Sequence, residues 1–355
     1  MLVLALVVAT ACGRPLPPPL AGVVPAPAPA KPARPPVGLE SRVFDDTVRQ
    51  RELATTIWYP AADGSVEQDV EWDGIFIGSG AWHAPARAMP KRLPLVLLSH
   101  GSGADASNLT WLAEDLASHG YLVVAMDHPG DRFGDTSVEG RFAAWRRTRD
   151  MTFVLDRMLE DATFGPRIDR ARIAAAGHSS GAYTALALAG LRLEPSAYFK
   201  YCSQRQPGPD CELFVDLEPE RIGDLKEAGK SRRDRRIRAV LALAPVLGPA
   251  AIRSSLRSIT VPVTIVASPT DEYVPYALNA VRYQRGIRRA RLVSIPEAGH
   301  FVFMPTCTLP GKIVAAQVCV DRTPKVDRDA VHAQVAATAR RFFDEHLRVG
   351  RRARR

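Results

Sequence analysis

The pentapeptide Gly177-His178-Ser179-Ser180-Gly181 has the pattern G-x-S-x-G, between an apolar run, Arg172–Ala176, and an Ala/Leu-rich stretch, Ala182–Leu191. That context is a strand turning sharply into a helix. Such a turn crowds the backbone, so glycines flank the serine, and it lifts the hydroxyl above the strand ends. The helix behind it presents unpaired N–H groups and a positive dipole end. Ser179 is therefore the candidate nucleophile. A serine hydroxyl is a weak nucleophile and needs a base. Of the eight histidines, His300 follows the last expected sheet strand, with only a loop and a closing helix after it. The chain order serine, acid, base puts the base there. His178 adjoins the nucleophile, but its side chain is expected to point away; His332 and His346 fall within a helix and read as surface residues. The base needs a carboxylate that orients it and stabilises the imidazolium. In Ser268-Pro269-Thr270-Asp271-Glu272, Asp271 is the first carboxylate after an apolar strand. Glu272 is the weaker alternative, because adjacent residues rarely point the same way. Two backbone N–H groups would complete the chemistry by holding an oxyanion, each worth roughly 3–4 kcal/mol. One is that of Ser180. The other is assigned to Ser102 in His100-Gly101-Ser102-Gly103, where Gly101 lets substrate approach the backbone closely.

Positioning these groups takes a sheet. Strands are expected at Arg51–Tyr59, Leu95–Ser99, Tyr121–Met126, Arg172–Ala176, Ile237–Ala244, Val263–Ala267 and Leu292–Ile295. The short, continuously apolar runs read as buried on both faces. Helical spacing occurs over Ser107–His119, with Gly120 as a stop, over Arg141–Phe164 as one long amphipathic stretch, over Ala182–Leu191, and over Asp329–Leu347. Glu194–Arg236 is polar, charged and cysteine-bearing, and reads as an insertion after the nucleophile helix. Strands alternating with helices predict an α/β fold, a mostly parallel sheet with helices on both faces.

With these residues on one frame, the chain resembles the α/β-hydrolases, in particular the dienelactone-hydrolase-like group and the platelet-activating-factor acetylhydrolases. The stretches that carry the resemblance are LPLVLLSHGSG, WLAEDLASHGYLVVAMDHPG, RIAAAGHSSGAYTALALAG, RAVLALAPVLGP, VPVTIVASPTDEYVP and PEAGHF. It extends from about Ser41 to His346. It implies an α/β-hydrolase fold and hydrolysis of small carboxylic esters through an acyl-enzyme, with no cofactor and no metal. Dienelactone hydrolases proper use a cysteine where this chain has Ser179. The acetylhydrolases place their acid after the strand corresponding to Arg238–Ala244, where this chain has Pro245, Val246, Leu247 and Gly248. Polyester hydrolases of the cutinase type share the late acid and are one alternative, as are lipases. A peptidase or acyltransferase on the same three residues is another. The alternative outside enzymes is a non-catalytic envelope binding protein.

The chain has 355 residues, 46% of them hydrophobic and 24% charged. That is ordinary globular composition and ample for a core, which excludes a disordered chain, a collagen-like repeat and a small disulfide scaffold. The longest strongly apolar run is the start, Met1–Ala11, shorter than the roughly 20 residues of a spanning helix. With Cys12 directly after Ala9-Thr10-Ala11, it resembles a bacterial lipoprotein signal, in which cleavage leaves a lipid-modified cysteine. The expected plan is a signal-type segment over 1–12 and a Pro-rich spacer over 13–40. A hydrolase domain follows over 41–348, with its insertion at 194–236, and a basic tail over 349–355. The address is export, periplasmic or membrane-tethered through Cys12. Net charge is +9, much of it in the tail. No aromatic residue interleaves with the tail arginines, which argues against nucleic-acid binding. The partner expected is a small-molecule ester. Beyond Cys12, four cysteines allow three pairings. The two short spacings favour Cys202–Cys211 and Cys307–Cys319, each loop worth roughly 2–3 kcal/mol in the chain-entropy model. No Cys-x-x-Cys or His-x-x-x-His spacing supports zinc.

Overall fold

A computed structural model describes residues 34–89, 91–214, 222, 224–321 and 326–347. Cys12, the rest of the signal-type segment, most of the Pro-rich spacer and the basic tail lie outside the described residues. The chain divides after Arg34, and the fold is that of the part from Pro35 onward. Its strands are β1 (Val37–Asp46), β2 (Arg51–Pro60), β3 (Gln68–Trp72), β4 (Phe76–Trp82), β5 (Leu93–Ser99), β6 (Leu122–Met126), β7 (Asp131–Arg132), β8 (Asp135–Thr136), β9 (Ile168–His178), β10 (Ile237–Leu243), β11 (Val263–Ala267) and β12 (Ala290–Ser294).

Ten of these form one sheet in the order β12-β11-β10-β9-β5-β6-β2-β1-β4-β3, and β7 pairs with β8 apart from it. From β12 to β6 every pairing is parallel. β2 joins β6 antiparallel, and β1 pairs antiparallel with β2. The chain runs from β5 outward to β6 and then returns to the other side of β5 as β9. The strand order therefore reverses between β5 and β9, and a doubly wound sheet opens a crevice at the carboxyl ends of such a pair. Ser99 and His178 are the last residues of those two strands.

Alternation along the strands divides the core between the two faces. On β5, Leu95 and Leu97 join one cluster, while Val96 and Leu98 join the other. The first face is covered by helices Arg147–Glu160 and Ser180–Leu188 through residues such as Met151, Val154, Leu155 and Tyr183. The second is covered by helices Thr110–Ser118 and Arg328–His346 through Leu112, Leu116, Val335 and Phe343. Each such fully buried apolar side chain contributes about 1.5–3 kcal/mol.

Two expectations need correction. The stretch Arg141–Phe164 is not one helix. It is broken into Val138–Phe142, a short turn at Ala144–Arg146, and Arg147–Glu160. Phe142, Ala143, Ala144 and Trp145 are all buried at the break, so the chain bends to put four consecutive residues into the core. The spacer expected to reach residue 40 gives way to β1 at Val37. Cys202 pairs with Cys211 and Cys307 with Cys319, the pairing the short spacings favour. The second disulfide lies beside β4, since Phe76 and Cys307 form an isolated bridge.

Candidate active site

Ser179 sits between β9 and the helix Ser180–Leu188 with φ +54° and ψ −117°, a backbone state that L-residues avoid. Its N–H donates to Leu243 O at 2.9 Å, tying the turn to the neighbouring β10. The flanking glycines are required by space. A Cβ on Gly181 would lie 1.9 Å from Ser99 O, and one on Gly177 would lie 2.4 Å from Gly181. The side that stays open bears the serine, which is 9% exposed. Among the described residues Ser179 Oγ has no hydrogen-bond partner; catalytic hydrogen bonds often tighten only when substrate is bound.

The structure brings Asp271 and His300 together. His300 Nδ1 lies 2.8 Å from Asp271 Oδ2, and both side chains are nearly buried. Asp271 Oδ1 accepts two further bonds, from the N–H groups of Tyr273 at 3.0 Å and Val274 at 2.8 Å. The carboxylate is thus held by its own turn and aims its other oxygen at the imidazole. Glu272 turns elsewhere. Its Oε2 accepts the His300 backbone N–H at 3.1 Å, and a Cβ on Gly299 would come within 2.9 Å of that oxygen. His178 holds the same residue from the other side, with Nε2 at 3.2 Å from His300 O and its ring 4.7 Å from the His300 ring. Glu272 and His178 therefore grip the backbone of His300, roles that sequence reading did not find.

The loop His100–Gly103 leaves the end of β5 beside the serine. A Cβ on Gly101 would lie 3.7 Å from Ser179 Cβ. Among the described residues neither the Ser102 nor the Ser180 N–H has a protein acceptor. The loop is fixed from below by Arg147, which is buried. Arg147 donates to His100 O at 2.6 Å, Gly101 O at 3.3 Å and Asp131 O at 3.2 Å, and it is ion-paired to Asp131. Asp131 Oδ1 in turn accepts from Ser102 Oγ at 2.8 Å and Gly103 N–H at 2.9 Å. Arg147, Asp150, Met151 and Val154 share one helical stripe, so charged residues on an otherwise apolar face were the available signal for this arrangement.

A second serine, histidine and aspartate line lies beneath. Ser99 Oγ is 2.9 Å from His128 Nε2, and His128 Nδ1 is 3.0 Å from Asp150 Oδ2. Arg49 and Arg51 pair with the same carboxylate. Ser99, His128 and Asp150 are wholly buried. The backbone N–H of His128 donates to His100 Nε2 at 3.1 Å, linking this line to the loop above.

His332 is buried, contrary to its reading as a surface residue. Its Nε2 lies 2.9 Å from Val302 O and its ring stacks on Trp111. Burial pushes five histidines down: His128 and His332 to about 4, His100 and His178 well below the ordinary value, and His346 below it. In the unfolded chain each would titrate near 6.5. Between about pH 6.5 and 4 the unfolded state therefore binds more protons, so stability falls as pH falls through this window. Asp150 acts in the same direction at lower pH. Burial raises it, but the hydrogen bonds and charges of His128 and Arg51 hold it well below the ordinary carboxylate range. Asp105, raised by burial to about 6, and Asp127 and Asp210, also raised by burial, oppose them. The histidines, joined towards the acid end by the lowered carboxylates of Asp46, Asp169 and Asp234, outnumber the three raised ones, so the urea midpoint is expected to drop from pH 7 to about 4.5. A midpoint constant over that range would contradict neutral, buried imidazoles.

Comparison with known proteins agrees with this architecture. The alpha/beta hydrolase family matches residues 95–316, and platelet-activating factor acetylhydrolase, isoform II, matches residues 36–138. Cutinase est1 of Thermobifida alba is 35% identical over 99 residues, 27% of this chain and 30% of the cutinase. The platelet-activating factor acetylhydrolase of Bos taurus is 42% identical over 59 residues, 16% of this chain and 13% of that protein. The chain thus spans about a third or less of the length of the curated relatives it matches. The solved ferulic acid esterase from Streptomyces cinnamoneus aligns over 93% of this chain and 95% of its own, with a TM-score of 0.56 and 23% identity, a likeness of fold. The family match covers well over half of the sequence and runs through the turn at Ser179, the loop of Asp271 and the residue His300, and so the chain belongs to the alpha/beta hydrolase family.

Proposed function

We propose that this chain is an exported serine hydrolase of small carboxylic esters. The observation that carries the reading is a histidine whose Nδ1 is held by a buried carboxylate, in a chain whose strand-to-helix turn presents a serine. Ser179 attacks the ester carbonyl while His300 takes its proton at Nε2. The Ser102 and Ser180 N–H groups receive the oxyanion, His300 protonates the leaving alcohol, and an acyl-serine remains. Water activated by His300 then releases the acid. Asp271 keeps Nδ1 protonated throughout and stabilises the imidazolium. The two disulfides support an oxidising compartment, and Cys12 would supply a lipid anchor. Among the described residues no helix is long and apolar enough to cross a membrane.

Nitrophenyl esters of graded acyl length test the reading. Acyl chains of roughly two to four carbons are expected to be cleaved fastest, as the resemblance to hydrolases of small esters implies. Best turnover at twelve carbons or more would favour a lipase, and no turnover on any ester would overturn the proposal. The partial likeness to a cutinase, together with the acid on the β11 loop, favours a polyester hydrolase as the second reading. Release of soluble acids from a polyester film distinguishes it.

Arg147 acts in this scheme as a positioning residue for the oxyanion loop. Arg147→Lys keeps the charge but cannot reach several carbonyls from one planar fork. Its kcat is expected to fall about tenfold or more with KM little changed, since an oxyanion donor acts mainly in the transition state. A matching rise in KM alone would assign Arg147 to substrate binding instead.

A further inference from the structure

Most buried or half-buried arginines of the described chain face a carboxylate, as Arg49, Arg51, Arg147, Arg236 and Arg328 do. Elsewhere arginines gather without a carboxylate: Arg282, half-buried, and Arg253, Arg257 and Arg285, exposed, converge on a groove of about 420 Å³, and among the described residues none of the four is ion-paired. One wall is the helix Arg253–Ser258, the other the wide turn Ala277–Val281 running into the helix Arg282–Gly286. Arg253 and Arg257 stand four residues apart, Arg282 and Arg285 three apart, so each pair presents one helix face. The walls meet at close range, for a Cβ on Gly286 would lie 2.6 Å from Leu256 Cδ1. Leu256 lines the groove and no carboxylate does. Arg282 reaches Ala251 O at 3.1 Å, but its Nε is buried without a partner. At the rim, Leu278 is 41% exposed.

We propose that this groove docks the domain on an anionic phospholipid surface. Unpaired guanidinium groups on both walls match phosphate-diester headgroups, which they grip bidentately. The exposed Leu278 has no use for a soluble polyanion, but it can enter the boundary between headgroups and acyl chains. Single-stranded nucleic acid fits less well, because no aromatic side chain lines the groove for bases to stack on. Docking this way brings the edge of the Asp271 loop to the lipid, since the turn Ala277–Val281 follows that loop directly.

The test is co-sedimentation of the full chain carrying Cys12→Ser, so that no lipid anchor contributes. The vesicles are phosphatidylcholine alone, or phosphatidylcholine with about 30% phosphatidylglycerol. The expected result is at least about tenfold stronger partition onto the anionic vesicles at roughly 0.1 M salt, much reduced at several-fold higher salt. A basic side chain near such a surface is worth roughly fivefold. Replacing all four arginines by Gln should therefore bring partition onto the anionic vesicles down to the level seen on phosphatidylcholine alone, a fall of at least about tenfold, while nitrophenyl acetate turnover stays at the parent level. If the fourfold variant does not fold, Arg253→Gln with Arg257→Gln, and separately Arg285→Gln, must each weaken binding. The proposal is overturned by equal binding to both vesicles or by parent-level binding of the arginine variants. It is also overturned if binding is lost only when Arg351, Arg352, Arg354 and Arg355 are replaced, or if a single-stranded RNA is bound more tightly through the same four residues.

Discussion

Ser179→Ala is expected to lose nearly all turnover on nitrophenyl acetate, a fall on the order of 10⁶, because nucleophile, base and acid act as one unit. The fold should be indifferent to the change. Alanine keeps the Cβ, so the strained φ of +54° is neither relieved nor worsened, and Ser179 Oγ gives up no hydrogen bond among the described residues. Equal urea midpoints for the two proteins would show this. A fluorophosphonate probe should label the parent and leave the variant unlabelled. Turnover within tenfold of the parent would end the serine mechanism. Labelling of the variant would point to another nucleophile.

Asp271→Asn should cost at least about 10² in turnover, and up to the roughly 10⁴ known for the corresponding change in a serine protease. The geometry sharpens the argument. Oδ1 accepts two backbone N–H bonds, from Tyr273 and Val274, so an asparagine must leave its carbonyl oxygen there. Its NH₂ group is then forced to face His300 Nδ1. That nitrogen must become an acceptor, which puts the proton on Nε2, where it cannot receive one from Ser179. Glu272→Gln should change turnover little, because glutamine retains an oxygen that can accept the His300 N–H. A crippled Glu272→Gln beside an active Asp271→Asn would reverse the assignment of the acid.

The parts legible in the sequence were those fixed by local necessity. The serine turn needs glycines wherever it occurs, and the loop after β11 offers carboxylates where the loop after β10 offers none. The parallel strands are apolar runs, visible as such. β1, β3 and β4 escaped because antiparallel strands with one wet face mix polar and apolar residues; β1 alternates half-buried and exposed over much of its length. His332 was misread because its partners, Trp111 and Val302, come from other elements. Arg147 and Asp131 escaped for the same reason, since their contacts with the His100–Gly103 loop exist only once the helix Arg147–Glu160 has packed beneath it.

The buried line of Ser99, His128 and Asp150 bears on how serine hydrolases in general are recognised from coordinates. Its two separations, 2.9 Å and 3.0 Å, are those a distance template for a serine–imidazole–carboxylate relay seeks. Ser179 shows no such contact among the described residues. A template scored on distances alone would select the sealed serine over the one on the turn. Reachability by solvent and the positive-φ backbone are what separate the candidate nucleophile Ser179 from its look-alike.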